Sequence, residues 1–111
     1  MLSLSPATRI LLAIAPVDLR LGFNGLYGLV KNALNEDPQS GHWYVFTNRR
    51  RNRLKLLTWD GDGLWICSKR LERGGYAWPS GEEVCRSVRP EQWSNLIHGL
   101  EVVGRARWYR P

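Results

Sequence analysis

Apolar and polar positions fall into three regimes along the chain. The run "ILLAIA" at 10–15 is continuously apolar, which predicts a strand buried on both faces. After Asp18 and the turn-rich "DLRLGFNG", the residues Leu26, Leu29, Val30, Ala33 and Leu34 recur at helical spacing and form one stripe. That helix should stop near Asn35, before the "EDPQSG" loop. From His42 the pattern changes to short runs, "HWYVFT", "RLKLLTW", "LWICSKRL" and "YAW", separated by "NRRRN", "DGDG" and "ERGG". Aromatic and aliphatic runs with loops of hairpin length predict an antiparallel meander of three strands and a short fourth, ended by Pro79-Ser80-Gly81. A second helix should open at Pro90 and bury Trp93, Leu96, Ile97 and Leu100. The expected fold is α+β: an antiparallel β-meander of three to four strands plus an N-terminal strand of unassigned pairing, packed with two α-helices.

At 111 residues the chain has room for one domain, with a core over about 10–100 and a basic, aromatic tail at 101–111 that fits no element. An apolar fraction of 43% against 23% charged is globular composition, not that of a disordered segment. Two isolated cysteines make no disulfide framework and point to a reducing compartment. Ala13-Ile14-Ala15 resembles a signal-peptide cleavage site. Only Arg9 is positive before it, however, and the apolar run is short, so a buried strand fits better. No run reaches membrane-spanning length, so no membrane partner and a cytoplasmic location are expected.

Charge adds a direction. The formal net charge is +6, and thirteen of the sixteen basic residues are arginine, the side chain suited to planar contacts with phosphate. Consecutive loops of a meander alternate between sheet ends, so the arginines at 49–53 should share an end with the turn at 72–75. Asp60 and Asp62 should lie at the other end, roughly 20 Å away. Arg49, Arg50, Arg51 and Arg53, joined by Arg70 and Arg73, then form a candidate phosphate clamp for DNA with weak sequence preference. Phosphate contacts alone do not distinguish RNA. Lys55 and Lys69 lie further down the strands, and Glu72 is placed to orient Arg70 or Arg73. Trp78, beside Tyr76, is the candidate for stacking on an unpaired base.

The acidic stretch fails as a calcium loop. Counting from Asp60, the sixth position is Trp65 where glycine is needed, and the twelfth is Leu71 where a bidentate glutamate is needed. Asp-Gly pairs are accounted for by tight-turn chemistry. Asp18, Asp60, Asp62 and Glu72 do not converge as a two-metal centre requires, and no nucleophile motif surrounds Cys67 or Cys85. His42, Cys67, Cys85 and His98 offer no pair at zinc-finger spacing. The expectation is therefore a non-enzyme with no metal and no cofactor. A rival class is a protein–protein adaptor or dimerising module. Leu54, Leu56, Leu57, Trp59, Leu64, Trp65 and Ile66 make the central strands apolar on both faces. Two helices covering one face would leave the other for a partner protein or a second copy, unless the N-terminal strand and the tail close it.

The stretches "DLRLGFNGL", "GHWYVFTNRRRNRLKLLTWDGDGLWICSKRLERGGYAWP" and "SVRPEQWSNLIHGLE" resemble the small accessory proteins of the insertion-sequence sixty-six transposon family. These are the second-reading-frame proteins labelled TnpB there, unrelated to the RNA-guided nuclease of that label. The resemblance spans roughly 14–100. It covers Asp18, Arg20, Gly22, Gly25 and Leu26, then Phe46, Arg49, Lys55, Trp59, Asp60 and Gly63, then 69–72, Trp78 and Pro79. Leu21 departs from the pattern where a basic residue is frequent, and Arg89 where a capping serine or threonine is usual. The resemblance implies a non-catalytic role in transposition beside a separate transposase, with transposon-end DNA and that transposase as partners.

Overall fold

The computed structural model describes residues 4–98. Five strands and two helices follow in the order β1 (Ile10–Ala13), α1 (Phe23–Asn32), β2 (Trp43–Thr47), β3 (Arg53–Trp59), β4 (Leu64–Arg70), β5 (Cys85–Val88) and α2 (Pro90–Ile97). The fold is α+β. One mixed sheet has the order β4-β3-β2-β1-β5. The β2-β3-β4 part is the antiparallel meander that the alternating runs predict.

β1 finds its partners far along the chain. It lies parallel to β2, with Leu11 opposite Tyr44, and antiparallel to β5, with Leu11 opposite Ser87. An interior strand is covered on both faces, and all four of its residues are buried, which is why its sequence shows no alternation. A parallel pair needs a crossover, and residues 14–42, containing α1, supply it.

The period-two alternation of the strands sorts the core into two layers. Ile10, Leu12, Trp43, Val45, Leu54 and Leu56 face α2, whose Trp93 and Leu96 pack on them. Trp43 and Trp93 meet edge to face at 6.1 Å between ring centres. Leu11, Ala13, Tyr44, Phe46 and Leu57 face the opposite way, onto Leu26 and Val30 of α1 and Leu34 just after it. The helices therefore cover opposite faces of the sheet, not one face as the two-helix layer expected from sequence would.

Two sequence expectations are corrected. Residues 76–78 form no strand: Tyr76 and Trp78 fold onto the α2 side of the sheet, and the Trp78 indole donates a 2.7 Å hydrogen bond to the Ala13 carbonyl. The fifth strand comes later, at Cys85–Val88, on the sheet's outer edge. Helix α1 ends as expected, with Asn35 in a left-handed conformation at φ 56°. Helix α2 opens at Pro90 as expected, and the Arg89 N–H donates to the Gln92 side chain. Leu100 and the tail at 101–111 lie outside the described residues.

Candidate nucleic-acid interface

Parallel pairing of β1 and β2 brings their C-terminal ends side by side, where β3 begins, β4 ends and β5 begins. Three connections therefore emerge at one end of the sheet: residues 14–22, 48–52 and 71–84. Hydrogen bonds lock them together. Val17 N–H donates to the Thr47 carbonyl, Leu71 N–H to Asn52 and Tyr76 N–H to Arg51, at 2.9, 2.7 and 2.7 Å. Gly75 is needed at this crossing, since a Cβ there would stand 3.0 Å from the Arg51 carbonyl oxygen. The hairpin loop is braced internally: the Asn48 amide donates to Asn52, and its oxygen accepts the N–H groups of Asn52 and Arg53.

Arginines gather on this end. Arg53 and Arg70 are direct cross-strand partners, two like charges side by side at the sheet's margin. One cleft of about 310 Å³ is lined by Arg20, Arg50, Arg53 and Arg70 with Asp18, Asn48 and Asn52. Leu19, Arg53 and Arg70 also border a neighbouring cleft of about 450 Å³, which reaches Lys55, Ser68, Lys69 and Glu72. The side chains of Arg50 and Arg53 have no hydrogen-bond or ion-pair partner among the described residues, and Arg49 is exposed beside them. Arg70 donates from Nε to Glu72 at 3.1 Å, the orienting pair expected from sequence. Arg20 is held by Asp18, and those bonds to the guanidinium bring the Asp18 carboxyl from the ordinary 3.8 down to about 2.

Other members of the expected clamp stand apart. Arg51 has φ 59°, is half-buried, and lines a different, mainly apolar cleft with Ala13, Leu34 and Phe46. Arg73 is exposed on the turn after β4 and lines neither basic cleft. Lys55 reaches the Leu21 carbonyl just before α1, at 3.1 Å, and Lys69 reaches the Ile97 carbonyl at the end of α2, at 2.9 Å. Each ammonium thus fastens a helix terminus, and two donors remain for other acceptors. Trp78 is 6% exposed, so its ring has no free face for a base. Asp18 and Arg20 are the members of this site that the loop arithmetic misses. The signal present for them is the "DLR" spacing, but only the parallel pairing of β1 brings that loop to the arginines.

The acidic end is turn chemistry. Asp60 Oδ1 accepts the N–H groups of Asp62 and Gly63, Oδ2 accepts the Trp65 indole N–H at 2.6 Å, and Gly61 takes φ 111°. The Trp65 bond is the chief cause of the lowered Asp60 pKa. Six residue steps of the β3–β4 ladder, roughly 20 Å, separate it from Arg53 and Arg70. Cys67 and Cys85 lie on opposite edge strands and pack into opposite core layers, so they cannot ligate one ion. His42 Nδ1 already accepts the Arg9 N–H at 3.0 Å. Among the described residues no three His, Cys, Asp or Glu side chains come together as metal ligands, and no helix is long and apolar enough to cross a membrane.

The family model described as IS66 Orf2 like protein matches residues 8–107, which takes in every strand, both helices and the arginine loops. The chain belongs to the IS66 Orf2-like family. Members of that family are accessory proteins of transposition. Two curated relatives come from Sinorhizobium fredii (strain NBRC 101917 / NGR234). The uncharacterized protein y4jC is 40% identical over 101 residues, covering 91% of this chain and 86% of its own length. The uncharacterized protein y4hO is 34% identical over 103 residues, covering 93% and 90%. No solved structure matches the chain. The arginine-lined clefts are thus features of an IS66 Orf2-like protein.

Proposed function

We propose that this IS66 Orf2-like protein is a non-catalytic accessory factor that binds DNA at the arginine-lined end of its sheet, at the transposon ends and beside the transposase. The observation that carries the reading is the meeting of Arg20, Arg50, Arg53 and Arg70 around one cleft, two of them without a carboxylate partner among the described residues. Guanidiniums held by a braced hairpin and a strand end can straddle a phosphate backbone and release its condensed counterions. Among the described residues no three His, Cys, Asp or Glu side chains gather as metal ligands; Asp60 is consumed by its turn, and Asp18 and Glu72 are each bound to an arginine. A cytoplasmic location belongs to the same proposal, and the free state of Cys67 and Cys85 supports it.

A salt titration of binding tests this, comparing the element's terminal repeat with scrambled duplex and single strand. With Arg49, Arg50, Arg53 and Arg70 engaged, log K should fall with log[salt] at a slope near −3 to −4. A flat salt response would remove the DNA reading. Bridging to the transposase has one observation of its own. β4 is an edge strand of seven residues with Trp65 exposed on it, and its outer side is unpaired among the described residues.

A further inference from the structure

Four exposed ion pairs join an arginine to a carboxylate two or three residues away: Arg20 to Asp18, Arg70 to Glu72, Arg86 to Glu83 and Arg89 to Glu91. Exposed pairs contribute little to stability, so their interest lies in what they do to the guanidinium. Arg20 differs from the other three in meeting both oxygens of its carboxylate. Asp18 is held as well, since its Oδ1 accepts the Arg20 backbone N–H at 2.9 Å. Both Asp18 oxygens then face a single edge of the guanidinium, with Nε at 3.0 and 3.1 Å and Nη2 at 2.7 Å. Arg70 meets only one oxygen of Glu72, while Arg86 and Arg89 lie outside the basic clefts.

A guanidinium has two donor edges. With the Nε–Nη2 edge occupied, Arg20 presents the Nη1–Nη2 edge, and the carboxylate sets its plane. The lock limits the rotamer freedom that would otherwise be lost on binding. It also cancels much of the charge, which makes this side chain a weak grip on phosphate. Two acceptors in one plane at matching spacing suit such a fork, and in the major groove that means O6 and N7 of guanine. Adenine sets an N–H donor beside its N7 and would oppose the fork. Arg50 and Arg53, without carboxylates among the described residues, line the same cleft and supply the charge that Arg20 lacks.

Resting on the DNA reading above, we infer that Arg20, locked by Asp18, reads the major-groove edge of a guanine while Arg50 and Arg53 hold nearby phosphates. The protein then carries a sequence preference at one base pair on top of general affinity for duplex.

Selection from a random-sequence duplex pool tests this with the wild-type chain, Arg20→Lys, Asp18→Asn and, as a control, Arg89→Lys. Wild type is expected to enrich duplexes sharing one fixed G·C pair. Arg20→Lys keeps the charge and loses the fork, so its preference for that guanine should fall about 5- to 150-fold. Asp18→Asn should weaken the same preference, and Arg89→Lys should leave it intact. Arg89→Lys, outside both basic clefts, should also keep the wild-type affinity for the unselected pool and the wild-type salt slope. Guanine enrichment that survives in Arg20→Lys overturns the inference, as does a wild type that binds the pool in a salt-dependent way yet enriches no guanine. No binding of wild type to any duplex would instead remove the DNA reading itself.

Discussion

A variant with Arg49, Arg50 and Arg53 all replaced by alanine is expected to bind duplex DNA about a hundredfold more weakly at physiological salt, with its salt slope reduced by about 2.7. Both numbers follow from one cause, the loss of three phosphate contacts with their released counterions. The two affinities should therefore converge as salt approaches about 1 M, where the counterion contribution vanishes. Stability should not suffer. The three side chains are exposed and unpaired among the described residues, and removing Arg53 relieves the like-charge pairing with Arg70. Binding by fluorescence anisotropy across a salt series, beside a thermal melt, separates the two effects. A variant that melts normally and keeps the wild-type slope would place the DNA contact elsewhere.

The second large effect is expected at Trp78. Trp78→Ala removes a buried ring, which costs about 3–5 kcal/mol for such truncations, and leaves the Ala13 carbonyl without its donor. For one small domain that is a large share of a total stability of about 5–15 kcal/mol, so the alanine variant should be strongly destabilised. Trp78→Phe keeps much of the packing against Tyr76, whose ring centre lies 6.4 Å away, and loses the hydrogen bond and part of the indole's volume. It should fold, with a loss of about 2–3 kcal/mol by denaturant unfolding. Its DNA affinity should match wild type, because the ring is enclosed. A folded Trp78→Phe protein that bound DNA tenfold more weakly would restore the tryptophan to the interface.

What the chain discloses by its sequence follows the range of the interactions. Helix α1 shows in the spacing of Leu26, Val30 and Leu34, and α2 in Pro90 ahead of Trp93 and Leu96, because a helix is set by neighbours a few residues away. The meander shows for the same reason: its turns join consecutive strands. β1 has partners 33 and 78 residues on, Trp43 and Val88 against Ile10, and no local pattern names them. β5 escapes because "CRSV" is short and half polar, the composition that blunts an exposed edge. Trp78 misleads because "YAW" between glycines and a proline has strand composition, whereas its fate is set by a carbonyl sixty-five residues earlier.

The site divides along the same line. Arg53 and Arg70 are legible as neighbours because one hairpin sets their register. The departure of Arg51 is not, since it depends on a single residue adopting φ 59° within the loop. Arg20 enters the cleft only through the parallel β1–β2 pairing, and Lys55 and Lys69 are drawn toward helix ends whose positions are tertiary facts.

The most direct measurement is an amide chemical-shift titration of the protein with a short duplex at low salt. Shifts concentrated at 18–22, 48–53 and 70–75, with the 60–63 turn unmoved, are the predicted result. Shifts centred on 60–63 and Trp65, or spread evenly over both ends of the sheet, would contradict the account.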